Sequence, residues 1–111
     1  MLDLTTAYSK LYQVKLFDGT VLSLYRPTQK LQKRIIDLQK LGSDSSTSAL
    51  AIDETFNVFT EVINRNKENI TFNREELEED FDYSVALLVI GDYLNYYAKE
   101  IARQVNFQVT Q

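Results

Sequence analysis

The chain has 111 residues and contains neither cysteine nor histidine. Without cysteine there is no disulfide, no thiolate nucleophile and no sulfur-ligated metal, and thiols give no reading of the redox compartment. Without histidine the usual general base near neutral pH is missing, and so is the commonest transition-metal ligand. Any catalysis would rest on carboxylates, lysine, tyrosine or serine alone, so a non-catalytic protein without cofactors is expected. The three glycines stand at positions 19, 42 and 91, too far apart to form a phosphate-cradling loop. Apolar runs are short. The longest, Val85 to Gly91, is closed off by Asp82 and Asp92 and falls well below the roughly 20 residues of a membrane-spanning helix. The first residues lack the basic start and continuous apolar core of a signal peptide. These absences predict a soluble, intracellular protein with no membrane span.

What is present suffices for a core. Apolar residues make up 44% of the chain and aromatics 12%, far more than a disordered segment carries, and the length suits a single domain over residues 1–111. The net charge of −4 is unevenly spread. Residues 1–42 hold seven Lys/Arg against three Asp/Glu, a balance of +4, whereas residues 43–111 hold five against thirteen, a balance of −8. Such blocks either are solvated faces or steer one copy onto another or onto a charged partner. The acidic block argues against nucleic acid, because it repels phosphates.

The order of local signals predicts a mainly α fold, with a small N-terminal β-hairpin packed on a bundle of about four helices. Residues 12–25 read as the hairpin, since Tyr12, Val14 and Leu16 alternate with Gln13 and Lys15, and Leu22 and Leu24 flank Ser23. A two-residue turn at Asp18-Gly19 would mix the faces. A three-residue turn, Phe17-Asp18-Gly19, pairs Leu16 with Thr20, Val14 with Leu22 and Tyr12 with Leu24, and it puts Gly19 where a left-handed residue is needed. Pro27 stops the second strand and Thr28 caps a helix over 28–41, with Leu31, Ile35, Leu38 and Leu41 inward and Gly42 as the stop. Lys30, Lys33, Arg34 and Lys40 are assigned to its exposed side. The polar run 43–48 reads as a mobile linker or a long helix–helix loop.

A second helix over 49–64 buries Ile52, Phe56, Phe59, Val62 and Ile63, and Asn64-Arg65-Asn66 ends it because asparagine tolerates the left-handed turn. The third helix, 74–81, has several agreeing start signals. Asn73 caps the first turn, Glu76 completes a capping box, and Phe72 and Leu77 occupy the positions of a hydrophobic staple. Asp82 caps a fourth helix over 83–104. One of its stripes is Ala86, Ile90, Tyr93, Tyr97 and Ile101, and a second is Val85, Leu88, Val89 and Tyr96. That is more apolar surface than a one-sided helix needs, so this helix is either central to the fold or partly turned toward a partner. The tail 105–111 is expected to fray or to add a short strand.

Two constellations invite a chemical reading. Glu75, Glu76, Glu78, Glu79, Asp80 and Asp82 form the densest acidic cluster, but they radiate around a helix and lack the glycine bend of a calcium loop. A solvated face is the expectation. Tyr93, Tyr96 and Tyr97 suit either a protein interface or a core edge where the hydroxyls stay wet, and no basic groove is at hand for stacking bases.

The sequence of pieces resembles the small tail assembly chaperones of long-tailed, siphovirus-like phages and prophages. The resemblance rests on the Asp18-Gly19 hairpin, Arg26-Pro27-Thr28 before a helix, Val62-Ile63-Asn64-Arg65-Asn66-Lys67 ending the next, the Phe72-to-Leu77 helix start, and the apolar last helix with Tyr93 and Tyr96. It implies a non-catalytic protein of the host cytoplasm that coats the tape measure protein, keeps its long apolar helices soluble and is displaced by polymerising tail-tube protein. Many such chaperones also have a longer form made by ribosomal frameshifting. Combined with the surplus apolar surface of the last helix, it makes Leu88, Tyr93, Tyr96 and Tyr97 the candidate contacts to client or neighbour, with self-association expected. The alternative is a small acidic regulatory or inhibitory protein that binds one target.

Overall fold

Tyr12, Val14 and Leu16 face Leu24, Leu22 and Thr20 across an antiparallel hairpin of β1 (Tyr12–Lys15) and β2 (Val21–Leu24). This computed structural model describes residues 1, 3–4, 10–42 and 49–109, with positions 41–42, 101 and 103–109 given by their backbone alone. The three-residue turn forms as its register requires. Leu16 N–H donates to Thr20 C=O at 2.8 Å, Gly19 N–H to Leu16 C=O at 3.0 Å, and Gly19 has φ +92°, a conformation that costs glycine little and other L-residues much more. Tyr12, Leu22 and Leu24 are buried, and Val14 and Leu16 pack partly buried beside them. This face lies on the helices, β1 against α4 (Tyr83–Val109) and β2 against α2 (Ala49–Asn64). A lone hairpin is marginal in water; here the helices supply the missing apolar cover.

The outer edge of β2 is also covered. Tyr25 N–H donates to Arg65 C=O at 2.8 Å, Lys67 N–H to Ser23 C=O at 2.9 Å, and Ser23 N–H to the Glu68 carboxylate at 2.8 Å, while Asn66 bridges to Leu24. The segment after α2 thus does the work of a third strand and blunts an edge that would otherwise template aggregation. Two asparagines hold it there. Asn64 exchanges two hydrogen bonds with the Phe72 backbone, at 2.9 and 2.7 Å, and buried Asn66 does the same with Ile70, at 2.7 and 2.8 Å, while also donating to Ile63 C=O. The helix ends at Asn64 as the sequence suggests, but for a different reason. Among the described residues the left-handed non-glycine residue is Asn69, φ +61°; Asn64 and Asn66 end α2 by using their amides as surrogate backbone.

Two shorter helices complete the bundle, α1 (Gln29–Gly42) and α3 (Arg74–Asp80). Thr28 caps α1 through Leu31 N–H at 3.2 Å, and Asp82 caps α4 through Val85 N–H at 2.8 Å. At α3, Glu76 N–H donates to Asn73 Oδ1 at 2.8 Å, and the box closes between side chains, with Asn73 Nδ2 donating to the Glu76 carboxylate at 3.0 Å. α3 stops at Asp80, one residue before the expected end, with Phe81 as its C-cap. The backbone of α4 stays helical to Val109 rather than ending at 104, in keeping with the absence of proline or glycine after Gly91. The polar run 43–48 and positions 110–111 lie outside the described residues.

The central helix is α2, which packs on α1, α3, α4 and β2 and buries Phe56, Val58, Phe59, Val62, Ile63, Ala51 and Thr55. Thr55 is tolerated because its hydroxyl donates to Ala51 C=O at 2.7 Å. Arginines grip the polar side of α2 from both flanks. Arg34 of α1 bonds Glu54, at 2.9 Å, and Glu61; Arg74 of α3 bonds Asp53 at 2.6 Å and Asn57 at 2.8 Å. Arg34 is therefore not one of the solvated cations of α1. Such part-exposed pairs contribute only about 0.2–1 kcal/mol each; their value is in setting the docking of α1 and α3.

Candidate partner-binding surfaces

Tyr93, Tyr96 and Tyr97 stand at helical spacing on one side of α4, against the open end of the hairpin. Three successive backbone carbonyls leave β2 there, and each is met by a side chain. Tyr97 donates its hydroxyl hydrogen to Leu24 C=O and accepts Tyr12 N–H at 3.1 Å, bridging the facing pair Tyr12/Leu24. Tyr93 donates to Tyr25 C=O at 2.5 Å, and the Arg65 guanidinium donates to Arg26 C=O at 2.6 and 3.2 Å. Tyr12 completes the cluster. Its hydroxyl donates to the Asp92 carboxylate at 2.8 Å, and its ring lies 5.8 Å from that of Tyr93 and 5.6 Å from that of Tyr96.

Burial raises the pKa of Tyr12, Tyr93 and Tyr97, since a phenolate would lose its water; the neighbouring Asp92 carboxylate adds to the shift at Tyr12, and the Tyr12 N–H partly offsets it at Tyr97. These hydroxyls stay protonated as donors.

This arrangement corrects half of the expected contact set. Tyr93 is 0% exposed and Tyr97 2%, both with their hydroxyls committed to backbone, so neither is available to a partner. Tyr96 is partly exposed and donates to Lys10 C=O at 2.8 Å. Leu88 is 70% exposed and has the open position expected of it. The second stripe of α4 thus divides: Val89 is buried, Val85 and Tyr96 pack at the edge of the core, and Leu88 points outward.

The other end of the hairpin carries a feature that sequence periodicity missed. Between the β-turn and α3 lies a cleft of about 420 Å³. Its apolar lining is Leu16, Phe17, Phe72, Leu77 and Phe81, and its rim is Asp18, Glu76 and Asp80; among the described residues, no lysine or arginine lines it. Phe17 is 75% exposed yet stacks on Phe81 at 5.3 Å; Phe81 meets Phe59 edge-on at 5.2 Å, and Phe59 meets Phe56. A row of rings therefore runs from solvent into the core. The staple pair Phe72 and Leu77 forms part of the same wall.

Asp18 is held ionised by the Thr20 N–H, which its carboxylate accepts at 2.9 Å and which lowers its pKa. The available signal was Phe17 itself, a large apolar residue in a tight turn, where small and polar residues are usual.

Among the described residues, no group of acidic side chains is gathered so as to hold a metal ion, and no helix is long and apolar enough to cross a membrane. Compared with known proteins, the chain matches no family model, no curated protein and no solved structure.

Proposed function

We propose that this chain is a non-catalytic tail assembly chaperone of a long-tailed phage or prophage, which binds the tape measure protein in the host cytoplasm and keeps it soluble until tail-tube protein displaces it. The observation that carries this reading is the apolar cleft beside the hairpin turn, with Leu88 exposed separately on α4. Phe17 and Leu88 are 75% and 70% exposed, and Phe17 borders an apolar cleft. An apolar cleft open to solvent commonly marks a protein interaction site. A chaperone for amphipathic helices needs apolar surface of this kind, within reach of charge that keeps the complex in solution. The absence of histidine and cysteine supports a binding role over catalysis. The opposite charge balance of the two halves supports association of copies along a client.

Co-expression with a tape measure protein tests the reading. The soluble fraction of the client rises with the wild-type chain and falls back when Leu88 and Phe17 are both changed to serine. A client equally soluble with and without the chain removes the chaperone assignment.

A further inference from the structure

We infer that the cleft between the hairpin turn and α3 is a docking site for a helical segment of another polypeptide that presents a large apolar side chain flanked by lysine or arginine. This inference deepens the chaperone reading by assigning one site and the chemistry of the client segment it takes. The argument is one of shape and charge together. The interior is aromatic and aliphatic, and a cleft of about 420 Å³ accommodates an apolar side chain with part of the backbone that bears it. Phe17 and Phe81 form an edge that an inserted ring or branched chain can stack against.

The rim sets the sign of what surrounds that anchor. Asp18, Glu76 and Asp80 ring the opening with no cation among them. An acidic partner would place like charges opposite this rim, which disfavours it. A basic segment finds complementary charge at each side of its anchor, and the pairs form at a rim rather than in the interior, so their desolvation cost is small. Two of the three carboxylates are also held in place. The turn amide of Thr20 fixes Asp18, and the Asn73 amide holds Glu76. The cleft is thus an apolar socket with an acidic rim.

The test uses the full chain and a labelled helical peptide with one phenylalanine bracketed by lysines one turn away on each side, followed by fluorescence anisotropy. Binding is expected, weakening as salt is raised. The same peptide with glutamates in place of the lysines is expected not to bind. Asp80→Lys keeps the fold, because a cation suits the C-terminal end of α3, and it lowers affinity about tenfold through like-charge contact. Phe17→Ser lowers it by a similar factor, about tenfold, through loss of the stacking edge; far-UV circular dichroism checks that both variants are folded. Equal binding of the lysine and glutamate peptides, or affinity unchanged in folded Asp80→Lys, overturns the inference. So does self-association of the wild-type chain that Asp80→Lys abolishes, which assigns the cleft to a second copy. Failure here is distinguishable from failure of the chaperone reading. A chain that still solubilises the tape measure protein without binding the basic peptide loses only the cleft, whereas a chain that binds the peptide without solubilising the client loses only the chaperone role.

Discussion

The two ends of the hairpin carry aromatic clusters of opposite character. At the open end, Tyr12, Tyr93 and Tyr97 are buried, and every hydroxyl in the group has a partner, with Tyr93 and Tyr97 bonded to the backbone that leaves β2. At the turn end, Phe17, Phe72 and Phe81 have no polar tip, and their rings line an open cleft. The tyrosines, which composition alone would nominate for an interface, fasten the hairpin to α4. The phenylalanines, which composition would send to the core, reach the surface. A phenol inside a protein must find an acceptor, and once found that bond ties the ring into the fold. A phenyl ring has no such obligation and can stand at an opening.

The largest effect that can break this contrast is truncation at the fastened end. Tyr97→Ala is expected to cost about 3–5 kcal/mol, read as a lowered urea midpoint, because it leaves a cavity and also removes the bridge between Tyr12 and Leu24. Tyr97→Phe keeps the ring and removes only the hydroxyl's bonds to Leu24 C=O and Tyr12 N–H, at a cost of about 0.5–1.5 kcal/mol. An unchanged midpoint in Tyr97→Phe would show that the hydroxyl is incidental and that both clusters are mere packing.

A pH series separates the two ends without mutation. A phenol whose pKa is raised on folding contributes stability that is fully present below its unfolded value near 10 and is lost as pH rises above that toward the folded value. The raised values of Tyr12, Tyr93 and Tyr97 predict a steady loss of unfolding free energy above pH 10, of about 1.4 kcal/mol per pH unit for each hydroxyl that stays protonated in the fold, read as a falling urea midpoint. The turn end answers to acid instead. Asp18 has a pKa lowered by the backbone amide of Thr20. Its contribution is present above the usual carboxylate range and is lost as pH falls through the lowered value. A flat midpoint between pH 9 and 11 (roughly the range where unfolded tyrosine ionises) would refute the protonated donors.

The smallest stability effects belong to the exposed sites. Leu88→Ser is expected to stay within about 0.5 kcal/mol of the parent chain, and Phe17→Ser to cost no more than about 1 kcal/mol, the scale of one aromatic stack. Both should nevertheless reduce the soluble yield of a co-expressed client. Should Leu88→Ser unfold the chain, that side chain belongs to the core, and the division between fastened and open surface fails.

Hairpin register, the capped start of α3 and the inward stripe of α2 were legible because each depends on residues within a turn or two: alternation fixes strand faces, Asn73 reaches only Glu76, and 3.6-residue spacing selects Phe56, Phe59 and Ile63. The roles of Tyr93 and Tyr97 were not legible, since their acceptors lie 68 and 73 positions away. Arg34 read as a solvated cation because its partners Glu54 and Glu61 are on another helix. Asn66 read as a helix stop, and its bonds to Ile63 and Ile70 give no periodic signal.

Up to residue 104 the amino-acid order alone determined which segments are strand or helix and which side of each is apolar, because those choices rest on backbone geometry and local hydrogen bonding. Tertiary packing decided which apolar side chains remain outside. Tyr93 and Leu88 belong to one helix and both qualified as contacts, but hydroxyl satisfaction drew Tyr93 onto the end of β2, and among the described residues no neighbouring element covers Leu88. Exposure is a property of what lies across from a residue, and that neighbour comes from a distant part of the chain.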